Sequence, residues 1–431
     1  MLGLQVMKFF AASLQQASLN NLIRSMAISS LAAALVPFAA SAQDSEWSLD
    51  LSGYLDARFY ASDSELTTFE KGFGKVRYGG NGVEGRERVR VNEVSLIGRV
   101  QYGTELSLYV NAQHNPDLKS KVDIVESYLE YRPVSLSRIR FGLKAGAFFP
   151  ALSFENQGAA WSNTYTLTNS AANTWYAEEV RPIGLEAAVE YRGDAVRTRL
   201  TGSAFYGNDR SGTALSLRGF VLNDQKVGLF GEIPIAFIPA ERLDLNEPFV
   251  ETDGRPGFAL GLEVDVPGIA EFSAYASDNR GDTNEGFNSE TRVWDTRFLN
   301  TAAKTLLPGD LTFIAQGLWG KSFKTPTGDR ALTLGSTFTA LSGLVSRDFG
   351  ALRASFRAEY FDQNDISTLP TAPDLDEDGY ALTFALRYAL GKKHRFTAEY
   401  LYVDSDRDAG SDELPLSQSE NLFQLNYRFS F

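Results

Sequence analysis

From residue 47 onward the chain alternates apolar and polar residues with a period of two. Leu49, Leu51, Leu55, Ala57 and Phe59 are interleaved with Asp50, Ser52, Tyr54, Asp56, Arg58 and Tyr60. The alternation returns in Leu106, Leu108 and Val110, in Ile139, Phe141, Leu143 and Ala145, and in Leu185, Ala187, Val189 and Tyr191. It appears again in Leu352, Ala354, Phe356, Ala358 and Tyr360, and in Phe396, Ala398, Tyr400 and Tyr402. Period two belongs to a β-strand with one face in an apolar medium and the other in water. The repeats run for ~9–12 residues, the length that crosses a bilayer when tilted. Strands of soluble domains centre on about five or six. Charged residues stand in mid-strand on the polar face, where a packed core would demand a partner for each. A water-filled lumen removes that demand. The pattern predicts an all-β chain folded as a transmembrane antiparallel β-barrel.

The links between strands alternate in length. Short ones fall at residues 101–104, 132–137, 193–194, 267–268, 307–310, 348–350 and 391–393. Long ones lie near 61–88, 111–121, 148–182, 207–257, 277–291, 321–332, 361–378 and 403–420. Short periplasmic turns and long outer loops are the asymmetry of an outer-membrane barrel. Seven short and eight long links join 16 strands and leave both barrel ends on one side. Residues 215–221 and 227–237 offer an alternative, a further hairpin turning at Asn223 and Asp224, for 18 strands. Pro234, Pro239 and Pro248 favour a folded outer loop, because proline cannot donate to a ladder.

Residues 1–42 read as a signal peptide. Lys8 and Arg24 precede an apolar run, 26–42, that ends in Ala40, Ser41 and Ala42, the small-residue cleavage pattern. The barrel is then expected over residues 43–431. No later stretch approaches the ~20 apolar residues of a membrane-crossing helix, so a membrane-embedded mature chain has to cross by strands. The absence of cysteine excludes a disulfide scaffold and a thiolate zinc site. The 37 Gly, 30 Phe and 18 Tyr suit turns and aromatic girdles. A formal charge of −13 argues against a nucleic-acid binder, which needs a basic face.

At the C-terminus, Phe423, Leu425, Tyr427, Phe429 and Phe431 form one face, and Gln424, Asn426, Arg428 and Ser430 the other. Free chain ends are usually disordered, so an aromatic ladder there points to a structural use. The strand resembles the C-terminal signal of bacterial outer-membrane proteins, which ends in an aromatic residue, usually Phe. The resemblance implies recognition by the barrel-assembly machinery, and residence in a Gram-negative outer membrane among lipid and lipopolysaccharide. In strand number, loop order and terminal Phe the chain also resembles the trimeric general porins, as architecture over most of the mature length. In that family the third outer loop folds into the barrel and narrows it. The resemblance implies the same for residues 148–182, which carry Trp161, Tyr165, Trp175 and Tyr176 with the acids Glu155, Glu178 and Glu179. It also implies a homotrimer. The phosphate-selective porins are a related resemblance through the arginines, but no lysine ladder accompanies Lys119 and Lys121.

By the alternation, the inner face bears Arg138, Arg140 and Lys144 on one strand and Arg197 and Arg199 on another. Arg353, Arg357, Arg387, Arg395 and Arg428 fall on the inner face of four of the last strands. Guanidinium groups stay charged and present several donors, which suits anionic or polar solutes. The expected site is an eyelet in which Glu155, Glu178 and Glu179 face this arginine wall across a narrow pore. The alternative is that these acids pair with arginines to hold the loop. Glu93, Glu105, Glu130, Glu186, Glu190, Glu263 and Asp265 nearly balance the lumen bases, which leaves anion versus cation preference open. His114 and His394 belong to no nucleophile–base motif and read as exposed polar residues. Asp374, Asp376 and Asp378 open like an EF-hand-type calcium loop, but Ala385 stands where the bidentate Glu belongs. A solvated acidic loop is the other reading. No cofactor is expected. The expected function is an outer-membrane passive channel for small hydrophilic solutes, anionic ones among them. The alternatives are an enzyme or adhesin on the same barrel, or a soluble periplasmic β-protein.

Overall fold

The computed structural model describes residues 46–431 apart from 71, 237–242, 285–292, 327–328, 330, 371, 373 and 408–416. The predicted signal peptide lies outside the described residues. The strands are β1 (Trp47–Ser62), β2 (Arg86–Tyr102), β3 (Leu106–His114), β4 (Val122–Tyr131), β5 (Ile139–Ala147), β6 (Ile183–Arg192), β7 (Arg197–Tyr206), β8 (Ile233–Ala236) and β9 (Leu243–Asn246). They continue as β10 (Gly257–Val266), β11 (Ala270–Asp278), β12 (Asp295–Leu307), β13 (Leu311–Lys324), β14 (Leu334–Phe349), β15 (Leu352–Asp365), β16 (Glu377–Leu390), β17 (His394–Arg407) and β18 (Ser417–Ser430). Sixteen of them close into one antiparallel barrel, in which β1 pairs with both β2 and β18. β8 and β9 pair only with each other, and Thr213–Arg218 is a short helix. The 18-strand alternative is therefore corrected. Its residues fold within the 207–256 link, and β10 pairs directly with β7.

All seven short turns fall where the alternation breaks. Two of them place Gly350 and Gly391 at φ 66°, a left-handed conformation that a β-carbon would resist. Along β18 the even residues from Gln418 to Arg428 are buried, while Phe423 and Leu425 face outward. Leu51, Phe141, Leu185, Leu260, Phe356 and Phe384 likewise stand exposed on the outer wall. That apolar belt is what a lipid-facing surface requires. The barrel closes through reciprocal backbone bonds, Gly53 N–H to Phe431 O at 3.1 Å and Phe431 N–H to Gly53 O at 3.0 Å.

The wall is uneven in height. β3 to β7, β10 and β11 have 9 or 10 residues, whereas β12 to β18 have 13 to 16, and β1 and β2 have 16 and 17. The tall strands exceed the predicted length because the ladder continues beyond the apolar band into polar register pairs. Asp362 stands opposite Asp378, and Asp378 opposite Asp406.

The lumen is less watery than the alternation implied. Inward Phe298, Leu318, Phe338, Phe361, Leu401 and Leu422 form one buried apolar cluster with Val76, Leu152, Trp175, Tyr176, Phe220 and Leu222 from the outer links. Burying apolar surface from both sides is the driving force that draws the links inward. The Ala171–Glu179 helix lies in this cluster. Ser170 caps it by accepting the Asn173 amide, and Trp175 packs edge-on against Phe298 and Phe338 at 5.0 and 5.1 Å.

Candidate pore and its charged lining

Residues 148–182 are gripped from the wall by groups that read their backbone. Glu359 accepts the Ala171 amide at 2.8 Å, at the start of the helix. Glu399 accepts the Leu167 and Thr168 amides and, at 2.6 Å, the Thr168 hydroxyl. Arg387 donates to the carbonyls of Thr164, Asn163 and Thr166, and Arg353 reaches Thr164 O at 3.2 Å. Arg357 is fully buried and bonds Glu155 at 2.9 Å and Glu359 at 3.0 Å. Arg428 makes a two-pronged bond to Asp56, 2.6 Å on each arm, lies over the Tyr54 ring at 3.6 Å, and donates to Ser162 at 3.0 Å.

The acids of this link do not act alike. Glu155 meets the arginine wall through Arg357. Glu178 instead binds Arg218 and Asn223 of the 207–256 link. Glu179 accepts the amides of Ala214 and Leu215 at 2.9 and 3.1 Å, together with Trp175 Nε1 and Asn246. Burial pushes its carboxyl up to about 7 despite those donors. Glu178 and Glu179 thus fasten one inward link to another.

The second inward link was not foreseen in the sequence. Asp224 bridges Arg58 of β1 at 2.8 Å and Arg77 at 2.6 Å. Burial opposes its ionisation, yet Arg58 and Arg77 hold its carboxyl well below the usual carboxylate range. Lys226 bonds Glu93 of β2 at 2.9 Å, and Tyr54 donates to the same carboxylate at 2.5 Å. Leu222 N–H reaches Lys75 O at 2.7 Å, and Lys75 and Arg407 both pair with Glu377. Arg58 shares its inward parity with Tyr54 and Asp56, a signal that could have singled it out. Asp224 and Lys226 carried no such signal, because a loop has no face to read.

Near the short turns the bases form two groups. On the tall side, Arg353 stands directly opposite Arg387, and Arg395 directly opposite Arg428. Arg387, Arg395 and Arg428 line a cleft with Arg58, Lys226 and Trp161, where Glu93 and Asp224 are the acids. On the low side, Arg199 pairs with Glu186 at 3.3 Å and Glu263 at 3.8 Å, Arg197 with Asp265 at 3.5 Å, and Lys144 with Glu186 at 3.9 Å. Arg140 joins Lys144 and Arg199 in that belt of alternating sign. Arg138 stands exposed at the barrel end against exposed Asp194.

The remaining candidates are placed as follows. Asp374 accepts the Asp376 amide, Asp376 accepts the Asp365 amide, and Asp378 faces outward in β16. The carboxylates that do converge among the described residues are Asp209, Glu251 and Asp253. His394 is half-buried and bonds the Tyr427 hydroxyl at 2.7 Å, which corrects its reading as an exposed residue. Phe423 and Leu425 are exposed on the outer wall with Phe431, while Tyr427 and Phe429 are half-buried beside His394.

An apolar-walled barrel with inward outer links and a charged cleft defines a membrane channel of the outer-membrane type. The profile of the Gram-negative porin family matches residues 27–408, and the chain belongs to that family. No curated protein matches it by sequence. Among solved structures it is similar to the outer-membrane channel DcaP of Acinetobacter baumannii, with 12% identity over 89% of this chain and 97% of the other and a TM-score of 0.56. It is also similar to an anion-selective porin from Comamonas acidovorans, with 11% identity over 89% of this chain and all of the other and a TM-score of 0.53. The protein is an outer-membrane porin channel.

Proposed function

We propose that the channel passes small hydrophilic solutes by passive diffusion with a preference for anions, and performs no chemical step. The cleft lining supports this. Arg58, Lys226 and Arg428 are paired there with Asp224, Glu93 and Asp56, which leaves Arg387 and Arg395 as bases of the wall with no carboxylate at ion-pair distance among the described residues. A fixed positive field between low-dielectric walls raises the local concentration of anions. The Comamonas porin, whose name states anion selectivity, shares the fold. The preference proposed for this chain rests on its own charges.

Planar-bilayer recording under a potassium chloride gradient tests the proposal. The zero-current potential is expected on the chloride side, and a potassium-side potential would overturn the preference. A homotrimer, export by cleavage after Ala42, assembly through the terminal Phe, and contact with lipopolysaccharide complete the proposal. Light scattering of the detergent-solubilised protein and N-terminal sequencing of the mature chain test the first two.

A further inference from the structure

We infer that the outer wall from β10 to β14 holds one phosphorylated lipid of the outer leaflet, with an acyl chain in a hollow of the wall and the phosphate on Lys321 and Arg280. This rests on the lipopolysaccharide contact proposed above and deepens it by giving that contact a place. The pairing register builds the hollow. Leu260 stands opposite Ala276, Ala276 opposite Leu299, and Leu299 opposite Trp319. One outward row deeper in the membrane, Leu262, Ala274, Thr301 and Gly317 pair in the same order. Phe258, Leu260, Leu299 and Trp319 are exposed on the outer wall, and the small Ala276 between them leaves an open hollow of about 720 Å³. A β-carbon at Gly317 would come within 2.3 Å of the Trp319 ring, so the glycine lets the indole lie along the wall.

The end of the hollow nearest the long links 207–256, 279–294 and 325–333 is basic. Arg297 and Lys321 both line it and stand directly opposite each other. Like charges in that position weaken a sheet. Arg297 is neutralised by Asp295 at 2.9 Å and Asp278 at 3.4 Å. Lys321 is exposed and has no hydrogen bond or ion pair among the described residues, its ammonium lying over the Phe323 ring at 5.4 Å. Arg280, exposed just beyond β11, lies over the Phe258 ring at 5.5 Å, and its guanidinium likewise meets no carboxylate among the described residues. Two unneutralised bases therefore flank the outer end of an apolar hollow. Trp319 sits one row below them, as indole rings do at the headgroup boundary. Acyl chain below and phosphate above is the order in which an outer-leaflet lipid presents itself, and a base at headgroup level attracts an anionic lipid. The neighbouring sector has the opposite sign, with Asp362, Asp378 and Asp406 in one cross-strand row over β15, β16 and β17. Charge complementarity thus places the phosphate at Lys321 and Arg280.

The test is native mass spectrometry of the full-length mature protein, purified in detergent and titrated with bisphosphorylated lipid A. The wild type is expected to retain one lipid A per chain. Lys321→Gln combined with Arg280→Gln should raise the dissociation constant about tenfold or more, the loss of a charge-assisted bond. Ala276→Trp fills the hollow from a lipid-facing position and should abolish retention. Dephosphorylated lipid A should bind the wild type as weakly as lipid A binds the double variant. Lys392→Gln, at an exposed short turn, should match the wild type. The substituted side chains lie outside the lumen, so the zero-current potential and the gel-mobility shift that separates folded from unfolded barrels should keep their wild-type values. Equal affinity for lipid A in the double variant and the wild type, or equal affinity of the wild type for dephosphorylated lipid A, overturns the site. If lipid A still binds all these variants as it binds the wild type, the lipopolysaccharide contact survives elsewhere on the barrel. A wild type that retains no lipid A overturns both. A lower particle mass of Ala276→Trp in light scattering, with no lipid on the wild type, makes the hollow a contact between copies of the chain and overturns the site.

Discussion

Replacing Arg357 by Gln tests how the 148–182 link is held. Arg357 is fully buried, with Nε 3.0 Å from Glu359, Nη1 2.9 Å from Glu155 and 3.0 Å from both Thr166 Oγ1 and Thr168 O, and Nη2 3.3 Å from Thr383. Removing the guanidinium leaves two buried carboxylates with no base. Breaking a buried pair in this way costs about 3–5 kcal/mol. Glu359 keeps the Ala171 amide at 2.8 Å and Glu155 keeps the Asn163 side chain at 3.2 Å, so the low end of that range applies. About 3 kcal/mol corresponds to roughly a 150-fold shift toward the undocked link. Arg387, Glu399 and the Trp175 cluster still hold the link, so the barrel should fold and the link should leave the wall more often. Amide hydrogen exchange at Leu167, Thr168 and Ala171 should speed up by about that factor, and open-channel current noise should rise. Arg357→Met combined with Glu155→Gln and Glu359→Gln should recover most of the loss, because replacing a whole buried ion set is close to neutral. Wild-type exchange rates in Arg357→Gln, or a triple variant no better than the single one, would refute the reasoning.

Three further outcomes follow from the other contacts. Lys226→Gln strips the base from Glu93, which is 2% exposed, and should loosen the 207–256 link by about 3 kcal/mol and raise single-channel conductance; unchanged conductance counts against that link bordering the pore. At the root of the same link, burial and Asp253 push Asp209 up to about 7, and burial and Asp209 push Glu251 up to about 8. Both acids hold protons more tightly folded than unfolded, so their stabilisation is fully present below the ordinary carboxylate range, about pH 4, and is lost as pH rises through 7 and 8. Exchange at the Gly207 and Thr252 amides should therefore be faster at alkaline than at acid pH beyond the intrinsic rate change, and the double variant Asp209→Asn, Glu251→Gln should flatten that profile. Deleting Phe431 removes the two backbone bonds to Gly53, at about 0.5–1.5 kcal/mol each. The purified barrel should lose little stability, while the assembled fraction in cells, read by the gel-mobility shift, should fall several-fold if the terminal Phe is an assembly signal.

The wall was legible from sequence because lipid imposes a rule on every second residue. Leu51, Phe141, Leu260 and Phe356 obey that rule without reference to any distant partner. The short turns were legible for the same reason, since the alternation stops where the strand leaves the membrane. The rule weakens on the lumen side. Phe298, Phe338 and Phe361 face inward and are apolar, which a water-filled pore does not explain. They mark where the links dock, and reading them that way would have shown that more than one link enters. The same failure set the strand lengths short. Beyond the apolar band the outward residues turn polar, as at Asp362 and Asp378, although the backbone ladder runs on.

The roles of the arginines were hidden for a different reason. Arg353, Arg357, Arg387, Arg395 and Arg428 share one parity rule and look alike along the chain. What separates them is the partner, and most of the loop partners lie roughly 190 or more positions away. Glu155 and Thr168 meet Arg357, Thr164 meets Arg387, and Ser162 meets Arg428. Parity tells which charges enter the lumen but not which are already neutralised there. Selectivity depends on the second question, because a guanidinium bonded to a buried carboxylate presents little net field to a passing ion. Arg395 differs from its neighbours by what it lacks, and such a lack becomes visible only after every inward loop has been folded around it.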